Sequence, residues 1–262
     1  GGPFTNILEA DQPFYEEMAA RFQKATGSKT GPASAPLSGD PLSWAYYDMG
    51  RWAFGSRVWW IPGTPAKDTT AAGGGSAAYP DSLKADANAY RWVTANGGAG
   101  FVDWKRIDHP DFPGREVEVG GFAPFVGINP PAAMLDSLAL GQLAFVTDLA
   151  GALPRITFRN VRVTAVGSRT YRIEAELANE GYFPTLSAIG VKAFWPRRVR
   201  LSLDPGKGEI VGGRAVELVG PIPGSGASEK FRWVVVGDAG STVTLTASSP
   251  VAGSASAPVT LR

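Results

Sequence analysis

The sequence predicts an α/β N-terminal part followed by an all-β antiparallel sandwich, and three observations carry that reading. Before Pro154, apolar residues recur with a helical period in three separate segments. After Pro154 the period changes to two, in short runs divided by turn signals. Finally, 33 glycines and 21 prolines among 262 residues make turns frequent and long helices few. The expected domains are residues 1–152 and 155–262.

The first helix is predicted over "DQPFYEEMAARFQKATG". Phe14, Met18, Phe22 and Ala25 recur at i, i+4, i+8 and i+11, with Asp11 as N-cap, Pro13 in the first turn and Gly27 as the stop. "GSKTGPASAPLSGDP" reads as a turn-rich loop. The aromatic stretch "WAYYDMGRWAFGSRVWW" reads as a short turn or helix, then a strand over "FGSRVWWIP". "GTPAKDTTAAGGGSAAYPD" reads as an exposed, mobile loop. A second helix comes next, over "SLKADANAYRWVTANGG", with Leu83, Ala87, Tyr90 and Val93 or Thr94 on one side. "GREVEVGGF" alternates as a strand, placing Glu116 and Glu118 on one face. The longest helix is expected in "PPAAMLDSLALGQLAFVTDLAGALP", buried along Leu135, Leu138, Gln142, Phe145 and Leu149. The sandwich strands are expected at "RITFRNVRVTAV", "TYRIEAELAN", "IGVKAFW", "RVRLSL", "RAVELVG", "EKFRWVVVG", "STVTLTASS" and "APVTLR".

Composition narrows the chemistry. With no cysteine, disulfides, thiol catalysis and cysteine-ligated metals are excluded. The single histidine, His109, cannot build a zinc site of several histidines; its setting, "RIDHPDFPG", suits a turn residue with local hydrogen bonds. No uninterrupted apolar run reaches 18 residues, so no transmembrane segment is expected. No signal peptide is visible, but a first residue other than methionine suggests a processed chain, so a periplasmic or extracellular location is expected. Charge is uneven: residues 1–150 hold 11 Lys and Arg against 16 Asp and Glu, a net of −5. Residues 151–262 hold 14 against 8, a net of +6, and together these give the whole-chain value of +1. Such asymmetry suits two bodies that attract each other, or a basic half facing an acidic partner. The densest basic piece is "PRRVR", Pro196 to Arg200, read as a solvated strand face; no basic helix or aromatic-basic sheet accompanies it, so no nucleic-acid partner is expected.

The stretch "SGDPLSWAYYDMGRWAFGSRVWW", with "HPDFPGREVEVGGF", "NPPAAMLDSLALGQLAFVTDLAGALP" and "ANEGYFPT", resembles the C-terminal part of zinc metallocarboxypeptidases of the carboxypeptidase A type, especially large bacterial secreted members. The likeness covers almost the whole chain, but only about the last third to half of such a protein. It implies a partial carboxypeptidase-like α/β domain before an Ig- or fibronectin-like sandwich. The family's zinc ligands, a His-x-x-Glu pair and a later His, lie upstream of the matching segment and have no counterpart here. "GGPFTNILE" resembles the family's segment just after the third ligand. The family's substrate-capping tyrosine maps to Tyr46, beside Trp44, and its catalytic glutamate maps to Arg57.

That last departure has a chemical consequence. The glutamate must take a proton from zinc-bound water and pass it to the leaving amine. Arginine stays protonated and cannot be that base. A cation about 5 Å from Zn²⁺ at an effective dielectric near 20 would also cost about 6–7 kcal/mol. The resemblance therefore implies no catalysis by this chain, with Trp44, Tyr46 and Arg57 as the remnant of a substrate pocket. Glu116 and Glu118 are possible cleft carboxylates, with Arg57 as their expected partner. No cofactor motif is visible and no cofactor is expected. Three functions are implied: a non-catalytic pseudopeptidase acting as a structural or interaction subunit beside other proteins, in an extracytoplasmic or membrane complex; a module binding peptide C-termini; or a carboxypeptidase fragment whose metal-bearing half is elsewhere.

Overall fold

The computed structural model describes residues 6–28, 40–62, 81–192 and 196–262. The two loops expected on either side of the aromatic stretch fall largely outside those residues. Packing divides the chain into two compact units. The first takes the described residues of Gly1–Arg21, Pro36–Gly55 and Phe145–Arg262, and the second those of Phe22–Ala35 and Ser56–Ala144. Helix α1 (Gln12–Thr26) and, later, the long helix of residues 135–152 each contribute to both.

The first unit is built on eight antiparallel strands in two four-stranded sheets. One sheet runs β3-β4-β8-β6, from β3 (Ile156–Gly167), β4 (Thr170–Asn179), β8 (Ser228–Val236) and β6 (Glu209–Gly212). The other runs β10-β9-β5-β7, from β10 (Gly253–Thr260), β9 (Thr242–Ser249), β5 (Val199–Asp204) and β7 (Val216–Val219). Inward positions alternate as the period of two requires. Tyr171, Ile173, Ala175 and Leu177 of β4 join Val199, Leu201 and Leu203 of β5 and Val243, Leu245 and Ala247 of β9 in one core. Strand β6 comes directly after "DPGKG" and was not expected: its two half-buried positions are Ile210 and Gly212, so no apolar alternation shows.

One expected strand is a helix. "IGVKAFW" begins as α5 (Ala188–Lys192), and its last three residues lie outside the described set. The alternating apolar pattern loses because the first turn of α5 finds an acceptor for each of its N–H groups. Ser187 Oγ accepts from Gly190 N (3.1 Å), while the Asp11 carboxylate accepts from Ala188 N (2.7 Å) and Ile189 N (3.2 Å). Asp11 thus stands directly before α1, as expected of an N-cap, but its carboxylate serves a helix far along the chain. It is 1% exposed and also accepts from the Tyr46 hydroxyl at 2.8 Å.

A buried loop, residues 180–187, connects β4 to α5. Asn179 holds it with both ends of its amide: Nδ2 donates to Phe183 O (2.8 Å) and Ile222 O (3.3 Å), and Oδ1 accepts from Arg155 N (3.0 Å) and Gly181 N (3.1 Å). Phe183 sits fully buried against Met18 and Ala152, with Phe14, Trp52, Phe54, Leu149 and Tyr182 around them. Here Trp52 and Phe54 of the aromatic stretch are absorbed, as tilted rings about 5–6 Å from Phe14 and Phe183.

The second unit holds α3 (Asp81–Ala95) and a hairpin of β1 (Phe101–Ile107) with β2 (Val117–Phe122), whose register shifts between Val102 and Lys105. Val93 is buried, but Leu83 and Tyr90, expected beside it, are exposed; Trp92 faces inward instead, edge-on to the buried Trp59 at 5.3 Å. The long helix, α4 (Leu135–Ala152), buries or half-buries Leu138, Gln142, Phe145 and Leu149 as expected, whereas Leu135 is exposed. By length and composition the segment Ala132–Ala152 could cross a membrane, with a mean hydropathy of 1.3. A count of uninterrupted apolar residues misses it because Asp136, Gln142 and Asp148 break the run.

Removing the Asp11 acceptor strands a tyrosine hydroxyl and two N–H groups. Asp11→Ala is expected to cost about 3–5 kcal/mol, Asp11→Asn about 1–3, since one acceptor survives, and Tyr46→Phe about 1. Urea unfolding followed by near-UV circular dichroism checks that order. Gly190→Ala is expected to destabilise as well, because a Cβ there would come within 2.7 Å of the Gly50 carbonyl oxygen.

Candidate functional site

The aromatic stretch begins with a built turn. Asp40 caps α2 (Pro41–Ser43) through Ser43 N (3.0 Å), and the chain continues as a π-helical turn over Trp44–Asp48 closed by Met49 N to Trp44 O (3.2 Å). The wide turn sends neighbouring rings in opposite directions. Trp44 is 57% exposed, whereas Tyr46 is buried, accepting from Leu8 N (3.0 Å) while its hydroxyl donates to Asp11. Residues 51–61 pair with no strand among the described residues, contrary to the strand expected at "FGSRVWWIP". Their rings pack on side chains of each unit in turn, Trp52 and Phe54 in the first and Trp59 in the second, and no neighbouring strand takes their backbone.

The expected pocket residues are not gathered by that turn. Arg57 is exposed and makes no ion pair among the described residues. Its expected carboxylate partner is engaged elsewhere: Glu116 pairs with Arg106 across the hairpin, and both are exposed. Glu118 faces the same Arg106 in the strand register and is exposed too. Hairpin geometry explains this, since Arg106 stands directly opposite Glu118 and Glu116 lies on the diagonal, about 7–8 Å away and within reach of a long side chain. His109 sits in its turn, where Nδ1 accepts from Asp111 N at 3.2 Å, and packs against Phe112. Among the described residues no three His, Cys, Asp or Glu side chains converge as metal ligands.

Two features were not singled out from sequence. The first is the Asp11–Tyr46 pair, where burial pushes the Tyr46 phenol well above its ordinary range, and the nearby Tyr15 phenol up to about 12. The second is an open cleft of about 460 Å³ in the first unit, lined by Arg21, Asp148, Glu180, Tyr182 and Ser225 among others. Arg21 lies over the Tyr182 ring at 4.9 Å, donates to Glu17 at 2.8 Å and reaches Asp148 at 3.4 Å. Glu180 is held by Arg159 at 2.5 Å. Every charge lining this cleft is thus answered by an opposite one, and the arrangement supplies polar anchoring rather than a free acid or base. Glu17 and Arg21 stand four apart on α1, a spacing that signals such a pair in sequence; Asp148 and Tyr182 carry no comparable signal.

The raised tyrosines set a pH dependence. A phenol kept neutral in the fold above its ordinary value near 10 ionises more readily in the unfolded chain, so the unfolded state binds fewer protons there. Stability is full below about pH 10 and falls through the window from 10 to 12 for Tyr15, and further on for Tyr46. Tyrosinate absorbance should show these two of the seven tyrosines ionising only as the protein unfolds.

Residues 155–260 match a family described as "Domain of unknown function (DUF8731)". No curated protein matches the chain.

Proposed function

We propose that this chain is a non-catalytic, carboxypeptidase-like interaction module, its C-terminal sheets forming an Ig-like sandwich, that serves as a structural subunit of a larger extracytoplasmic or membrane-associated assembly. One observation carries the reading: α4 has a second apolar stripe. Leu135, Ala139, Leu143, Val146, Ala150 and Leu153 recur at i, i+4, i+8, i+11, i+15 and i+18 on the side away from Phe145. Leu135 is 51% exposed, Leu143 62%, Val146 57% and Leu153 48%. A helix that is apolar on both faces belongs where both are covered, and leaving leucines in water forgoes about 25 cal/mol for each Å² of apolar surface. The Tyr46 hydroxyl held by Asp11, and an arginine at position 57 where the resembled family has its glutamate, support this reading.

The same stripe favours a second reading, in which the chain is part of a zinc carboxypeptidase and the layer covering α4 belongs to a metal-bearing half. The two separate experimentally. A photo-crosslinking residue at Leu143, in the native host, is expected to capture another polypeptide, while one at the exposed Glu209 of β6 is not. Leu143→Glu should weaken that association at least tenfold and change the stability of the isolated chain by no more than about 0.5 kcal/mol. A chain that carries stoichiometric zinc and releases C-terminal residues from peptides in a chelator-sensitive manner would replace the first reading with the second. A crosslink-free monomer at native abundance would remove the first outright.

A further inference from the structure

The exposed side of α4 has a regular spacing. Asp136, Ala139, Leu143, Val146, Ala150 and Leu153 follow one another at steps of three, four, three, four and three residues, and all six are exposed. That is the seam spacing of a coiled coil, in which apolar residues recur about every 3.5 positions and interlock with a partner helix. The seam also superimposes on itself when reversed. Turned end for end about the midpoint between Ala144 and Phe145, it sets Leu143 opposite Val146, Ala139 opposite Ala150 and Asp136 opposite Leu153. With α4 as the contact face of an interaction subunit, the reading on which this rests, we propose that its partner is α4 of a second copy of this chain, running antiparallel across a two-fold axis.

Charge selects that direction. Asp136 stands at one end of the seam and Arg155 just past the other, and both are exposed and without an ion pair among the described residues. Antiparallel pairing brings Asp136 of each copy alongside Leu153 and Arg155 of the other, so an opposite-charge pair closes each end. Parallel pairing would set Asp136 against Asp136 and leave both arginines unanswered. Size agrees with charge: Leu143 and Val146 fill the centre, and the flanking alanine layers let the helices approach closely. The opposite face of α4 is already closed, with Phe145 and Ala152 buried and a Cβ on Gly141 only 3.2 Å from the Thr26 Cα. Two other covers fit less well. A helix lying on an anionic bilayer carries Lys or Arg beside its apolar face, whereas Leu135–Ala152 contains neither and holds two aspartates. The two longer segments outside the described residues, 29–39 and 63–80, offer Leu37 and Tyr79 as their only large apolar side chains.

The chain has no cysteine, so introduced cysteines can read the register. Ala139→Cys and Ala150→Cys, both at exposed positions, are oxidised singly and as a mixture. The mixture is expected to give several-fold more disulfide dimer than either variant alone, because in the antiparallel seam each of these positions lies about 16 Å from its own counterpart, too far for a disulfide. Sedimentation velocity of the unaltered full chain should show the monomer mass doubling as concentration rises from about 1 to 100 µM. Asp136→Arg and Arg155→Glu should each weaken the dimer about tenfold, and the two together should restore most of that loss. The proposal is overturned if the chain stays monomeric throughout, if Ala139→Cys crosslinks to itself as readily as to Ala150→Cys, or if the paired charge reversals do not recover. A monomer that still crosslinks through position 143 to a different polypeptide in its host overturns self-pairing and leaves the interaction reading standing. A monomer that floats with vesicles of equal parts phosphatidylcholine and phosphatidylglycerol overturns self-pairing in favour of a bilayer.

Discussion

A carboxylate taken out of water must find donors for its lone pairs, and in this protein a large part of the first unit is arranged around one such group. Asp11 receives the Tyr46 hydroxyl and the Ala188 and Ile189 N–H groups in a site that is 1% exposed. Three pieces of chain meet there: the residue before α1, the π-helical turn and the first turn of α5. None of the three is stable alone. A turn of five residues and a helix of five residues are both below the length at which helix formation is favourable in isolation. The charged hydrogen bonds, stronger than neutral ones, supply what local propensity does not.

The consequences pass outward through packing. With α5 fixed, the loop from Glu180 to Ser187 is drawn over the core and Phe183 is buried among Phe14, Trp52 and Phe54. Asn179 closes the other end of that loop with four hydrogen bonds. The rings of the aromatic stretch thus go into ordinary core packing in two separate places. α4 gives Phe145, Leu149 and Ala152 to the same side and leaves its other stripe in solvent. That exposed stripe is one place where packing is incomplete among the described residues, and the proposed function comes from it.

The candidate site was only partly legible. The mapping of Tyr46 and Arg57 came from resemblance, and chemistry alone shows that an arginine cannot act as a base. Their surroundings were not readable. Tyr46 is occupied by a carboxylate 35 positions away, and Arg57 by no ion pair among the described residues. The expected Arg57–Glu116 pair lost to Arg106, a diagonal neighbour across the same hairpin, where the register sets Arg106 opposite Glu118.

Local pattern by itself determined the long elements of this protein. The helical periods of α1, α3 and α4 and the alternation of seven of the eight strands of the first unit were readable because burial of one face repeats over several turns or pleats. Tertiary structure alone decided the short ones. "AIGVK" is apolar enough for a strand, but three acceptors at its N-terminus make it a helix. "FGSRVWWIP" has the composition of a strand, but without a pairing partner its backbone has no ladder to join. β6 has glycine at one of its two half-buried positions and so shows no apolar alternation, and forms because β8 offers it an open edge. For α5 and β6 the deciding energy lies in hydrogen bonds to residues distant in the chain, which no window of neighbouring residues contains.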